Sequence, residues 1–151
     1  MLISRLDHFT LRTRRLAESI EFFVQVLGLE AGARPSFPFP GAWLYLGDQP
    51  VVHLAEAQDA DDTGLSAYLG ATGDLNGKGA LDHVAFRCSG YEAFKERLNA
   101  LGIEARERVV PELGERQVFL EEPNGIAVEL VFPAYEEATG LHGSGTTAAV
   151  R

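Results

Sequence analysis

The sequence is poor in several things, and each shortage excludes something. Cys88 is the single cysteine, so no disulfide can form within the chain. That fits a reducing, cytoplasmic setting. No apolar run approaches the roughly 20 residues that a membrane-spanning helix needs. Residues 1–9 lack the charged start, apolar centre and small-residue cleavage site of a secretory leader. A membrane or exported protein is therefore not expected. Basic residues are also scarce: 13 Lys and Arg stand against 22 Asp and Glu, for a net charge of −9. A polyanion partner needs concentrated Lys and Arg, so nucleic acid is excluded as a ligand. Arg12, Arg14 and Arg15 are the one basic cluster, and they read as a solvated turn.

What the chain does have is apolar content, 46% of 151 residues, enough for the core of one compact domain. It also repeats itself, and a repeat outranks every other sequence signal. Leu6-Asp7-His8-Phe9-Thr10-Leu11-Arg12 matches Leu81-Asp82-His83-Val84-Ala85-Phe86-Arg87. Leu27-Gly28-Leu29-Glu30-Ala31 matches Leu101-Gly102-Ile103-Glu104-Ala105. Between these landmarks, Leu16, Ile20, Phe23, Val24 and Leu27 fall at helical spacing, as do Tyr91, Phe94, Leu98 and Leu101. Ser89 and Glu92 have the spacing of a capping box at the second helix start. Gly28 and Gly102 read as helix stops.

The rest of each half reads as hairpins. Residues 42–47 and 51–56 are strand-like around Asp48-Gln49-Pro50. Residues 117–121 and 126–132 are strand-like around Glu122-Pro123-Asn124-Gly125, which is turn chemistry. Extra strands are expected near 30–34 and 104–109. Each half is thus β-α-β-β-β, an α+β arrangement. The expected organisation is a first module over 1–56, an acidic, Gly-rich linker over 57–79, a second module over 80–133 and a mobile tail over 134–151. The linker carries Asp59, Asp61 and Asp62, with a short helical turn expected around 65–69. His142 falls in the tail and reads as solvated.

The repeat also pairs residues that carry chemistry. His8 and His83 occupy matching places in the first strands. Aligning Val51-Val52-His53-Leu54 with Ala127-Val128-Glu129-Leu130 sets His53 against Glu129. Alternation along a strand puts His8 on a face with Leu6 and Thr10, and His53 with Val51 and Ala55. Burying such groups without a shared partner is unfavourable. If the two repeats face one another, the four converge, and imidazoles with a carboxylate suit a first-row divalent metal that keeps open positions for substrate or water. The stretch Phe37-Pro38-Phe39-Pro40-Gly41-Ala42-Trp43 is aromatic and kinked, and reads as the wall of an apolar pocket. Phe39, Trp43, Tyr45 and Phe86 are candidates to line it, with Arg116 as a candidate anchor for an anionic substrate.

These motifs resemble the vicinal-oxygen-chelate superfamily, which includes glyoxalase I, extradiol dioxygenases, methylmalonyl-CoA epimerase and the fosfomycin and bleomycin resistance proteins. The resemblance rests on Leu6-Asp7-His8, Val26-Leu27-Gly28-Leu29, Leu81-Asp82-His83-Val84-Ala85, and Glu122-Pro123-Asn124-Gly125 leading to Val128-Glu129-Leu130. Phe39 to Leu44 followed by Val52-His53-Leu54 is similar to the lactoylglutathione-lyase-like branch. The resemblance implies paired β-α-β-β-β modules in an open, curved mixed sheet around a metal. It implies ligands His8, His53, His83 and Glu129, and a divalent ion such as zinc, nickel, manganese or iron(II). It implies a small-molecule substrate and a homodimer, with sites inside one chain or shared between two. The leading activity is a lyase or isomerase in which Glu129 or His53 moves a proton. Glyoxalase I enzymes carry Glu or Gln where this chain has His53. The alternatives are an extradiol-type dioxygenase, in which a His53-like residue is the acid–base group and a Tyr stands where this chain has Phe119, and a non-catalytic sequestering protein.

Overall fold

The computed structural model describes residues 5–57, 63–69, 75, 77 and 81–135. The N-terminal β-α-β-β-β unit runs β1 (Phe9–Thr13), α1 (Leu16–Glu21), β2 (Glu30–Gly32), β3 (Gly41–Leu46) and β4 (Gln49–Glu56). A short helix, α2 (Thr63–Leu69), follows. The second unit runs β5 (His83–Arg87), α3 (Tyr91–Leu101), β6 (Arg106–Val110), β7 (Glu115–Glu121) and β8 (Ala127–Pro133). Each unit makes a four-stranded mixed sheet of the same order, β1-β4-β3-β2 and β5-β8-β7-β6. In each, the first strand lies parallel to the last, and the remaining pairings are antiparallel. The sheets are open, with no closing pair. No helix among the described residues is long and apolar enough to cross a membrane.

Strand alternation explains the two faces. Leu11 of β1, Val52 and Leu54 of β4, and Val128, Leu130 and Phe132 of β8 turn inward and are buried. They meet Phe23, Leu98 and Val118 in one core cluster that draws on both units. The opposite faces carry His53 and Glu129. α3 stops as expected at Gly102, which takes φ +65° while Ile103 N–H donates to Leu98 O at 2.9 Å.

Three local expectations are corrected. The capping box does not form: Gly90, not Ser89, precedes α3, and no side chain caps that end. The first helical stretch is α-helical only to Glu21 and then widens to a π-turn over Phe22–Val26. Phe22, Phe23 and Val26 are all buried in that stretch. The first hairpin turns at Gly47 and Asp48, so Pro50 lies within β4. Pro50 is opposite Tyr45 but before the point where β1 begins to pair at Val52, so its missing N–H breaks no ladder bond with β1. The acidic linker residues 59, 61 and 62 and His142 lie outside the described residues.

A buried polar knot joins the units. Glu122, only 1% exposed, accepts hydrogen bonds from the backbone N–H of Asn124 at 2.7 Å and of Ile126 at 3.2 Å. The Asn124 amide donates to Glu122 at 2.8 Å and to Ser19 Oγ at 3.0 Å, and accepts from Thr13 Oγ1 at 2.7 Å. Thr13 ends β1 and Ser19 sits in α1. The turn of the second unit is thereby fastened to the first, and Arg15 adds a bond to Pro123 O.

Candidate metal centre

Each unit brings two of the four chemistry-bearing residues together at the start of its first strand and the middle of its last. In the first unit, His8 lies just before β1 and His53 lies in β4, with Thr10 of β1 beside it. Their rings stack with centroids 3.9 Å apart. Trp43, opposite His53 on β3, stacks on the other face of His53 at 4.1 Å. In the second unit, His83 opens β5 and Glu129 lies in β8. His83 Nε2 stands 2.8 Å from Glu129 Oε2. Phe119 is the cross-strand partner of Glu129, as Trp43 is of His53.

The two pairs do not merge within one chain: among the described residues no three metal-capable side chains come together. His8 and His83 do border one cavity of about 480 Å³, together with Phe86.

The donor chemistry suits a cation. Asp7 Oδ2 lies 2.8 Å from His8 Nδ1, and Asp82 Oδ2 lies 2.9 Å from His83 Nδ1. A carboxylate on one ring nitrogen fixes the tautomer and leaves Nε2 with its lone pair outward, which is the usual support for a metal-binding histidine. At His83 that lone pair meets the carboxylate of Glu129, itself 6% exposed. Two acceptors at 2.8 Å need a shared positive charge, a proton or a metal ion. His53 Nε2 is buried with no hydrogen-bond partner among the described residues, another donor awaiting an acceptor of its lone pair. Burial, and secondly the neighbouring His8 ring, hold His53 below the ordinary histidine range and favour its neutral form. The hydrogen bond from His8 holds Asp7 below the usual carboxylate range.

The remaining candidates divide. Phe39 and Trp43 line a cavity of about 380 Å³ together with His8 and His53. Tyr45 does not: its hydroxyl donates to Ala33 O at 2.6 Å. Arg116 also points elsewhere. It sits opposite Phe132, on the core side of its strand, with its guanidinium over the Tyr91 ring at 4.2 Å and 3.6 Å from Glu107. Tyr68 and Leu69 of α2 reach the cavity from outside either unit. No motif signals that contact, since it joins distant parts of the chain. Asp7 and Asp82 do carry a signal, the same residue before each matched histidine.

The comparisons agree with this architecture. A curated relative, glyoxylase I 4 of Arabidopsis thaliana, is 29% identical over 131 residues, covering 85% of this chain and 70% of that protein. A glyoxalase family protein from Bacillus anthracis superposes with a TM-score of 0.64 at 21% identity, covering 88% of this chain and 98% of that one. A lactoylglutathione lyase from Agrobacterium tumefaciens gives a TM-score of 0.59 at 22% identity, with 86% and 94% covered. The family model for the Glyoxalase/Bleomycin resistance protein/Dioxygenase superfamily matches residues 5–130, so the chain belongs to that superfamily.

Proposed function

We propose that this protein is a divalent-metal-dependent lyase or isomerase acting on a small molecule with two adjacent oxygens, and that its working form is a homodimer. The observation that carries the reading is the pair of repeat-matched half-sites, each with an aspartate-backed histidine. His8 and His53 on one side, and His83 and Glu129 on the other, are the residues that would hold the metal. A divalent ion bound there supplies Lewis-acid polarisation of the adjacent oxygens. Glu129 is the group placed to take a proton from the carbon beside a carbonyl and return it.

A second copy completes the site in this reading. His8 and His53 of one chain face His83 and Glu129 of the other, and twofold symmetry gives two such sites. Leu6, Leu46 and Leu81 border the cavity shared by His8 and His83 and are 82%, 58% and 46% exposed. Exposed apolar side chains gathered at one concavity favour a protein partner there. An iron(II) dioxygenase with His53 as the free acid–base group is the second reading. The stacking of His53 between Trp43 and His8 favours it, because a ring held on both faces is well placed to exchange a proton.

The test has two arms. Mixing inactive His8→Ala chains with inactive Glu129→Ala chains should restore metal binding and activity through one intact site per heterodimer. No recovery under demonstrated subunit exchange excludes shared sites. Turnover of a hemithioacetal panel against a catechol panel then separates the lyase from the dioxygenase reading.

A further inference from the structure

We infer that the cavity in front of His53 is built to take an aromatic ring, so that the small molecule turned over carries such a ring beside its oxygens. This rests on the function proposed above and names the substrate class of the same site.

Aromatic rings wall the space. Phe37 and Phe39 stack on each other at 5.3 Å, and Tyr68 lies 5.1 Å and 5.7 Å from them. Phe37 stands 6.2 Å from Trp43, and Trp43 in turn stacks on His53. A flat ring entering here meets both π-faces and ring edges, the two geometries that aromatic pairs favour. A volume of about 380 Å³ is at the small end of ligand sites.

Arg34 is the arginine of the lining. It lies over Phe37 at 5.0 Å and over Phe39 at 5.4 Å, and donates to Phe39 O at 3.1 Å and Gly41 O at 3.4 Å. Its Nε–H is buried with no hydrogen-bond partner among the described residues. These contacts fix the guanidinium against the aromatic wall without neutralising it, so the lining selects for a ring and leaves the charge of its substituents open. Arg12 donates to Leu69 O and holds the end of α2.

The roof is set firmly. A Cβ on Gly64 would come within 2.4 Å of Pro38 O, so α2 rests directly on the aromatic loop. Leu65, 1% exposed, anchors the helix against Phe39 and Ala55. Tyr68, one turn later, is thereby held at the mouth, where it selects for shape.

The experiment uses the whole chain, with and without divalent metal. The probes are 4-nitrobenzyl alcohol and cyclohexylmethanol, followed by calorimetry and by the emission of Trp43, the chain's single tryptophan. The aromatic probe should bind saturably, quench Trp43 and exceed the saturated alcohol in affinity by roughly tenfold or more. Tyr68→Ala and Phe37→Ala should each weaken it severalfold while circular dichroism stays unchanged. Equal binding of the saturated alcohol, or absence of saturable quenching, overturns the inference. Ring binding in the metal-free protein with no turnover of any substrate panel would retain the ring site and sink the proposed function. Preferred turnover of a hemithioacetal without a ring over its aromatic counterpart would do the reverse.

Discussion

The two β-α-β-β-β units share a backbone plan and clothe it differently. Both begin with an aspartate-backed histidine, and both place a second ligand-capable residue in the last strand opposite an aromatic ring, Trp43 against His53 and Phe119 against Glu129. Around that frame the first unit is aromatic and roofed, with its arginine tied to backbone carbonyls. The second presents Phe119 between two guanidinium groups, Arg106 at 4.5 Å and Arg108 at 5.0 Å. Duplication therefore fixes where the ligand-capable residues stand. The character of the pocket comes from parts with no counterpart in the other unit, the loop around Phe37 and Phe39 and the helix α2.

The strongest way to break this comparison is to cut the knot that holds the units in register. Asn124→Ala leaves the buried Glu122 carboxylate without its amide donor and strands the hydroxyls of Thr13 and Ser19. Unpairing buried polar groups around a buried carboxylate costs about 2–4 kcal/mol. Equilibrium denaturation should show that loss, against about 1 kcal/mol for Ser19→Ala, which removes a single bond. A loss for Asn124→Ala no larger than that of Ser19→Ala would mean that the Asn124 amide does not hold the units in register.

The duplicated frame was legible in the sequence because its signals are local. Leu-Asp-His appears twice, and the alternation through Val51–Ala55 and Ala127–Val131 settles which side chains leave the core. The failures have physical causes. The capping box at Ser89 lost to Gly90, whose left-handed backbone starts α3 without a side-chain cap. The π-turn over Phe22–Val26 leaves no mark in the apolar spacing, which is that of a regular helix. Arg116 looked like an anion anchor, yet its strand register turns it toward Tyr91 and Phe132. Tyr68 reaches the cavity only because Gly64 and Leu65 seat α2 on distant chain, and no local pattern encodes that.

The second prediction sharpens the comparison at the histidines. Asp7→Asn and Asp82→Asn each keep the side-chain shape and remove the charge that backs a ring nitrogen. Loss of such a supporting carboxylate lowers metal affinity about 10–100-fold. Competition against a chelating dye should show comparable losses for the two variants if both half-sites hold the ion. A loss at Asp82 alone would place the ion with His83 and Glu129, and leave His8 and His53 to substrate.

The smallest expected effect concerns acid, and it separates the units because only one of them stacks its histidine. His53 is held below its ordinary value of 6.5, first by burial against Trp43 and then by the His8 ring. The unfolded chain therefore takes up this proton more readily than the folded one. Stability from the neutral ring is fully present above about pH 6.5 and is lost as pH falls below it toward the folded value. The ring is partly open to solvent, so the loss is modest. His53→Gln removes the titrating group, and its stability should fall less on acidification than that of the parent chain. The check is the shift in denaturation midpoint of the metal-free protein between about pH 7.5 and pH 5.5. The two chains share every other ionisable group, so the difference between the two shifts reports His53 together with its coupling to the His8 ring. Equal shifts would mean that the stack with Trp43 does not restrain proton uptake, and the contrast between the roofed and the open unit would then rest on shape alone.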